Sequence, residues 1–214
     1  MRHAHVDAAA SVPADEGGSA GSSTAEGDLA RGANLLGAVS LAVTDRIRVA
    51  AERGAAHGGS APAALVSLAG YLDGSPIDAV RSPLALTHSA TVRLVDRLVA
   101  AGLARRREGP DRRSVAVELT PAGHTAAAEA VKARAEALED ALADLDDAER
   151  TELARLHAKV LGTLTEGRAS AGHICRLCDS HACGHEEGHC PVTQAADAAE
   201  ELAAAAIGPL RPGE

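Results

Sequence analysis

Residues 87–107 read THSATVRLVDRLVAAGLARRR, and this stretch decides the fold. Thr87 is a good cap for the first turn of a helix, and Gly102 is a good residue to end one. Between these two positions, apolar side chains recur every three or four residues, at Val92, Val95, Leu98 and Val99. The spacing predicts a single amphipathic helix that ends where the sequence LARRRE begins.

Two short helices are predicted before this one. The segment PAALVSLAGYLDG, residues 62–74, carries one apolar stripe of Leu65, Leu68, Ala69 and Leu72. In the segment SPIDAVRSPLAL, residues 75–86, Ser75 is the expected N-cap and Pro76 the expected first helical residue. That helix is predicted to stop at Ser82, because the proline after it disfavours the helical conformation there.

A hairpin is predicted after the helix. LARRRE and SVAVELT, residues 103–108 and 114–120, lose the helical period and flank the turn-forming sequence GPDR. Three helices followed by a two-stranded hairpin make a winged helix-turn-helix. The predicted fold class is therefore mainly α, with an α/β wing hairpin and long helices on both sides.

Positive charge is concentrated on this helix and hairpin. Eight arginines and only three acidic residues lie between positions 81 and 113, in a chain whose net charge is −9. Such a confined basic surface is typical of proteins that bind duplex DNA, with a helix in the major groove and the hairpin tip in the minor groove. The predicted contact residues are Ser89, Thr91, Arg93 and Arg97 on the helix, and Asp111, Arg112 and Arg113 at the tip.

These residues carry a resemblance. The stretch quoted first, together with DRRSVAVELTPAG at 111–123, resembles the recognition helix and wing of the MarR (multiple antibiotic resistance regulator) family. The resemblance implies a homodimeric transcriptional regulator, usually a repressor, that releases its operator on sensing a signal. It also implies that Arg113 enters the minor groove at the wing tip with Asp111 as its partner.

The resemblance and the sequence pattern together predict the domain organisation. Residues 28–56 and 123–166 are expected to form dimerisation helices on either side of the DNA-binding domain at 60–122, with Asp146 and Glu149 as a capping pair. Residues 1–27 lack apolar periodicity and are predicted to be a disordered tail. A cysteine-rich segment at 173–192 and a short helix with a tail at 193–214 complete the chain.

All four cysteines lie in the sequence HICRLCDSHACGHEEGHCPV, at Cys175, Cys178, Cys183 and Cys190. Four thiolates within sixteen residues can surround one metal centre, and Gly184 and Gly188 allow the chain to fold back. An iron-sulfur cluster is favoured, because the Cys190-Pro191 pair matches the end of ferredoxin cluster runs. Structural zinc and metal-free redox thiols remain alternatives.

The position of the cysteine segment in the chain suggests how a metal centre there would act. It follows directly on a predicted dimerisation helix, so its oxidation, loss or repair is expected to change the separation of the two recognition helices. The alternative is a small-ligand-responsive regulator in which the cysteines hold zinc for structure only.

Other classes of protein are not indicated. The sequence has no nucleophile elbow, zinc-protease motif, phosphate-binding loop or dinucleotide fingerprint, so no enzymatic activity is expected. It has no apolar run of membrane-spanning length, and a cytoplasmic protein without a membrane partner is predicted.

Overall fold

The computed structural model describes residues 20–109 and 115–207. The chain divides into two compact units, residues 1–42 and 43–214. The elements in chain order are α1 (Ala20–Ala55), α2 (Ala61–Ser67) with a π-helical turn (Leu68–Leu72), β1 (Ser75–Pro76), α3 (Ile77–Leu84), α4 (His88–Ala100), β2 (Ala104–Glu108), β3 (Val115–Leu119), α5 (Pro121–Ala141), α6 (Asp147–Leu164), α7 (Arg168–Cys175) and α8 (Pro191–Ile207). The predicted fold class, mainly helical with a wing hairpin, is confirmed.

The apolar core lies in the second unit, where α2, α3 and α4 meet the hairpin. Its largest fully buried apolar side chains are Leu65, Leu68, Val80, Leu94, Val95, Leu98 and Val117. The chain has no Phe or Trp, and small residues bring the backbones together instead. A Cβ added to Gly54 on α1 would lie 2.3 Å from the carbonyl oxygen of Glu129 on α5, so only glycine fits there.

The central helix α4 forms as predicted at both ends. The Thr87 hydroxyl accepts a hydrogen bond from the Ala90 amide, and the helix ends just before Gly102. Its buried face is rotated relative to the prediction. Thr91, Leu94, Val95 and Leu98 are buried, whereas Val92 and Val99 are only half-buried.

The segment before α4 differs from the prediction. Ser75 and Pro76 do not start a helix but pair with Val117 and Ala116 of β3, so the sheet has three strands in the order β1-β3-β2. A two-residue strand is too short to show a period of two, which is why the sequence did not reveal it. The helix α3 also continues through Pro83 to Leu84, because a proline in the last turn removes only one hydrogen bond there.

The hairpin is antiparallel, and its register runs from the Ala104–Leu119 pair to the Glu108–Val115 pair. The carbonyl of Leu103 accepts the amide of Thr120 just beyond the hairpin, and the Thr120 hydroxyl accepts the amide of Gly123 to cap α5. The wing is therefore joined at its base to the start of α5.

The flanking helices match the prediction in outline. Helix α1 begins at Ala20, not at Asp28, so residues 20–27 of the predicted disordered tail are helical, and residues 1–19 lie outside the described residues. Asp146 and Glu149 form the predicted capping box of α6. Helix α7 was not predicted. Over the described ranges, no helix combines the length and apolar character needed to cross a membrane.

Candidate nucleic-acid interface and cysteine cluster

Three of the predicted DNA-contacting side chains share the outer face of α4. Ser89, Arg93 and Arg97 are all exposed, and they stand four residues apart on one side of the helix. Within the described part of the chain, neither arginine makes a salt bridge. This face therefore presents one hydroxyl and two free guanidinium groups, which suit base edges and phosphates.

Thr91 is not part of that face, and the prediction that it contacts DNA is wrong. Its side chain is fully buried, and its hydroxyl donates to the carbonyl oxygen of Thr87 at 3.0 Å. The position was recognisable from the sequence, because Thr91, Leu94, Val95 and Leu98 follow a helical period. A threonine can lie on the surface or in the core, and here the side chain of Thr91 packs in the core.

The wing arginines are not all available to a partner. Arg105 and Arg107 both donate to the carboxylate of Glu118 across the hairpin, at 2.8 Å and 3.1 Å. Hydrogen bonding from Arg105, and then from Arg107, lowers the pKa of Glu118. Arg106, on the opposite face of β2, pairs with Asp96 of α4 at 2.7 Å. Three charges counted in the basic window thus hold the hairpin together and fasten it to α4.

Another exposed pair joins the two helices of the helix-turn-helix. The His88 Nδ1 atom at the start of α4 lies 2.9 Å from a carboxylate oxygen of Asp78 on α3. Hydrogen bonding from His88 lowers the pKa of Asp78. The remaining predicted contact residues, Asp111, Arg112 and Arg113, lie outside the described residues.

The four cysteines come together in space. All four line the same two cavities, and the Cys178 and Cys183 thiols donate to the carbonyl oxygens of Asp179 and Ser180 at 3.5 Å and 3.4 Å. All four are free thiols; Cys190 is buried and the others are half-buried. We call this group of four cysteines the thiol ring.

Tight turns bring the ring together, as the two glycines predicted. Gly184 and Gly188 have φ angles of +68° and +74°, in the left-handed region that favours glycine. The His189 amide donates to the Gly184 carbonyl at 2.8 Å, and a carboxylate oxygen of Asp179 accepts the amides of His181 and Ala182. The chain thereby returns Cys183 and Cys190 to the end of α7.

The thiols of the ring have different acidities. Hydrogen bonding from Cys178 lowers the pKa of Cys175, and the same contact together with burial raises the pKa of Cys178. Burial raises the pKa of Cys183 to about 12. Burial also opposes ionisation of Cys190, but hydrogen bonds from Thr193 outweigh it and lower its pKa. The pKa is therefore lowered at Cys175 and Cys190 and raised at Cys178 and Cys183.

Two cavities, of about 430 Å³ and 520 Å³, meet at the thiol ring, and all four cysteines line both of them. Three arginines also line the smaller cavity, namely Arg48, Arg134 and Arg176. Arg134 is half-buried on α5, and its charge acts on Cys178 in the direction that favours the thiolate. Glu52 lines the same cavity and pairs with Arg48 at 3.6 Å, so Arg134 and Arg176 are the cations whose charges fit a negatively charged metal-thiolate centre.

The placement of the ligands is not that of a loaded site. Over residues 20–109 and 115–207, no three or more His, Cys, Asp or Glu side chains are arranged to hold a metal ion. Two of the nearby histidines are engaged elsewhere: His173 contacts the Pro83 carbonyl, and His185 contacts the Thr193 hydroxyl. The cysteines are thus the candidate ligands, and a metal would require them to adjust.

Several solved structures are similar to this one in fold. No protein-family model and no curated protein matches the sequence. A MarR family protein from Bacillus stearothermophilus has a similar structure, with a TM-score of 0.57 and 24% identity over 65% of this chain and 97% of that one. MepR, a transcription regulator of the Staphylococcus aureus multidrug efflux pump MepA, has a TM-score of 0.54 and 17% identity over 62% and 97% of the two chains.

The MarR protein of E. coli in its apo form is similar as well, with a TM-score of 0.51 and 22% identity over 59% of this chain and 96% of that one. Each structure is matched over nearly its whole length, whereas more than a third of this chain has no counterpart in it. The chain therefore has the winged helix-turn-helix fold of the MarR-family transcriptional regulators.

Proposed function

We propose that this protein is a homodimeric, sequence-specific DNA-binding transcriptional regulator in the cytoplasm, acting as a repressor, and that it is not an enzyme. One observation carries the proposal: in a winged helix-turn-helix, the outer face of α4 presents Ser89, Arg93 and Arg97, and neither arginine pairs with an acidic residue in the part of the chain that the structure describes. The paired arginines of the wing set its orientation, while Arg93 and Arg97 supply the charge that meets phosphates or bases.

The homodimer is supported by exposed apolar side chains on the flanking helices. In the first unit, Leu29, Leu35, Leu36, Val39 and Leu41 of α1 are all exposed. On α6, Leu156 and Leu164 are exposed as well. A second copy that covers these side chains removes apolar surface from water, and the two α4 helices then enter successive major grooves about 34–36 Å apart.

The DNA-binding proposal is tested by selecting a binding site from a random duplex library and measuring affinity by fluorescence anisotropy. Because two attractive contacts become repulsive, the variant Arg93→Glu/Arg97→Glu is expected to bind the selected duplex at least about a hundredfold more weakly. The charge reversal Arg155→Glu on α6 is the control. Equal binding by the wild type and the double variant contradicts the proposal, and a monomeric mass by light scattering contradicts the dimer.

We further propose that operator binding is modulated by a metal centre held by Cys175, Cys178, Cys183 and Cys190, in a redox-sensing role. The convergence of the four cysteines on the same two cavities supports this proposal, as do Arg134 and Arg176, whose charges would offset thiolate ligands. An iron-sulfur cluster would supply redox sensitivity and zinc would supply structure. The smaller cavity supports the alternative, a regulator that responds to a small organic ligand and keeps zinc for structure.

Protein purified without oxygen distinguishes these possibilities by elemental analysis and a visible spectrum. Iron with matching sulfide and visible absorbance supports the redox-sensing centre. Stoichiometric zinc without colour supports the alternative. Protein that contains neither element, and takes up neither on reconstitution, contradicts the metal centre.

A further inference from the structure

Helix α7, which carries the first cysteine of the thiol ring, lies directly against helix α3 of the helix-turn-helix. Gly172 faces the ring of Pro83, and a Cβ added at Gly172 would lie 3.6 Å from the Pro83 Cγ atom. Five residues further along the chain, Leu177 packs against the apolar core that α3 and α4 share. The cysteine segment is therefore a second layer on the DNA-binding domain.

His173 makes the contact closest to the turn of the helix-turn-helix. Its Nδ1 atom lies 2.8 Å from the Pro83 carbonyl oxygen, and because a carbonyl only accepts, this ring nitrogen is the donor. Pro83 stands in the last turn of α3, where carbonyls lack helical partners. Ala85 then takes a left-handed conformation with φ 51°, and Thr87 caps α4. His173 thus holds the chain where α3 turns into α4.

Tyr71 makes a parallel contact from the end of the π-helical turn. Its hydroxyl lies 3.2 Å from the Gly172 carbonyl oxygen and 3.3 Å from the Ser67 hydroxyl, and Ser67 donates in turn to the Arg176 carbonyl at 3.4 Å. The two carbonyls belong to residues on either side of Cys175. The DNA-binding domain is therefore hydrogen-bonded to the chain on both sides of the first thiol.

We propose that Tyr71 and His173 are positioning residues that couple the thiol ring to the helix-turn-helix, so that a change at the four cysteines reaches the α3–α4 turn directly. Cys175 ends α7, and any ligand shared by the four thiols ties the end of α7 to Cys183 and Cys190. A shift of α7 moves the donor to Pro83 and the acceptor of Tyr71 together. This route is internal to one chain and does not depend on the dimerisation helices.

The inference rests on the proposed metal centre, and its test does not use DNA. Full-length protein is stripped with a chelator and then loaded with Zn²⁺ without oxygen, and amide hydrogen exchange is compared between the two states. In the wild type, loading is expected to slow exchange about five- to tenfold in residues 77–88 as well as in the cysteine segment, which is what one or two hydrogen bonds contribute.

The variants Tyr71→Phe and His173→Leu each remove one contact while keeping most of the packing volume. Both are expected to bind Zn²⁺ with unchanged stoichiometry, yet residues 77–88 should lose most of their response to loading. His173→Asn, whose amide can donate where the ring nitrogen does, is expected to restore the response. His157→Leu, on the exposed face of α6, is the matched control and should behave like the wild type.

Different outcomes contradict the coupling, the metal centre and the proposed DNA-binding regulator. A loading response confined to residues 168–193 overturns the coupling and leaves the metal centre standing. A response at residues 77–88 that survives in both variants also overturns it. Failure to take up either Zn²⁺ or, on reconstitution, iron with sulfide overturns the metal centre and the coupling together. Failure to bind any DNA overturns only the proposed regulator, because the exchange measurement is made without DNA.

Discussion

The winged helix-turn-helix and the cysteine segment of this chain are held in place by different forces. In the first, seven apolar side chains are fully buried in one shared core. In residues 168–189, no side chain is buried, although Leu177 packs against the core and Cys190 and Val192 are buried at the end of the segment. Hydrogen bonds and turns supply most of the other contacts to the core. The DNA-binding fold therefore supplies its own stability, whereas the cysteine segment depends on contacts that a small displacement can break.

That difference suits the roles proposed for the two regions. A contact surface for DNA needs rigid placement, because a hydrogen bond to a base edge tolerates little error in distance. A sensor needs an element whose position is set by only a few interactions, so that binding at one end can shift it. Variants in the two regions should therefore differ in their effects on metal content and on stability.

The largest effect is expected at the thiol ring. The variants Cys178→Ala and Cys183→Ala should each lower the metal content from one centre per chain to almost none, because a closed site needs all four ligands. The circular dichroism spectrum and the dimer mass should stay unchanged, because neither side chain belongs to the apolar core. Ser180→Ala in the same turns is the control. Full metal content in either cysteine variant argues against a four-thiol centre.

The next effect compares two glycines. A Cβ added at Gly123 would lie 2.0 Å from the Leu103 carbonyl oxygen, so Gly123→Ala should destabilise the protein by about 3 kcal/mol. Gly172→Ala would place its Cβ 3.6 Å from Pro83, an ordinary contact, and should cost much less. Denaturant unfolding measures both. Equal losses of stability would show that the cysteine segment is packed as rigidly as the core.

A smaller effect is expected at the start of α6, the helix that leads towards the cysteine segment. Asp146→Ala removes the side chain that accepts the Glu149 amide at 2.9 Å, and should lower stability by about 1 kcal/mol. Asp146→Asn keeps the acceptor and is expected to retain most of the stability. A thermal unfolding midpoint that is the same for all three proteins would indicate that α6 does not unfold together with the core.

The smallest effect concerns the pH dependence of the wing. Because its arginine partners lower the pKa of Glu118 below the ordinary value of 4.5, its ion pairs stabilise the fold at neutral pH. This contribution is lost as the pH falls below 4.5 and through the lowered value. The protection of amides in β2 and β3, corrected for their intrinsic exchange rates, should therefore fall in acid in the wild type, and less steeply in Glu118→Gln. Identical acid profiles would mean that the pairs contribute nothing measurable.

The sequence predicts a structural feature well when the residues that determine it are close together in the chain. Thr87, Gly102, Asp146 and Glu149 act within one helical turn, so the limits of α4 and the start of α6 were predictable. The turns at Gly184 and Gly188 are equally local. By contrast, the strand at Ser75 depends on pairing with Val117 of β3, which is distant in the sequence.

The number of arginines in the sequence likewise does not show which of them are paired in the fold. From the sequence, the arginines of the wing added equally to a basic surface. In the folded chain, Glu118 and Asp96 occupy Arg105, Arg106 and Arg107, whereas Arg93 and Arg97 make no salt bridge within residues 20–109 and 115–207. Cross-strand pairing depends on the register of β2 and β3, which no local pattern specifies.

By itself, the sequence determined the winged helix-turn-helix and the grouping of four cysteines, because helix periods, caps and turns are written in neighbouring residues. Only the tertiary structure decided that the cysteine segment lies against α3, with Tyr71 and His173 holding it there. The physical reason is that these contacts join residues 101 and 90 positions apart, and their partners are backbone carbonyls, which every residue carries.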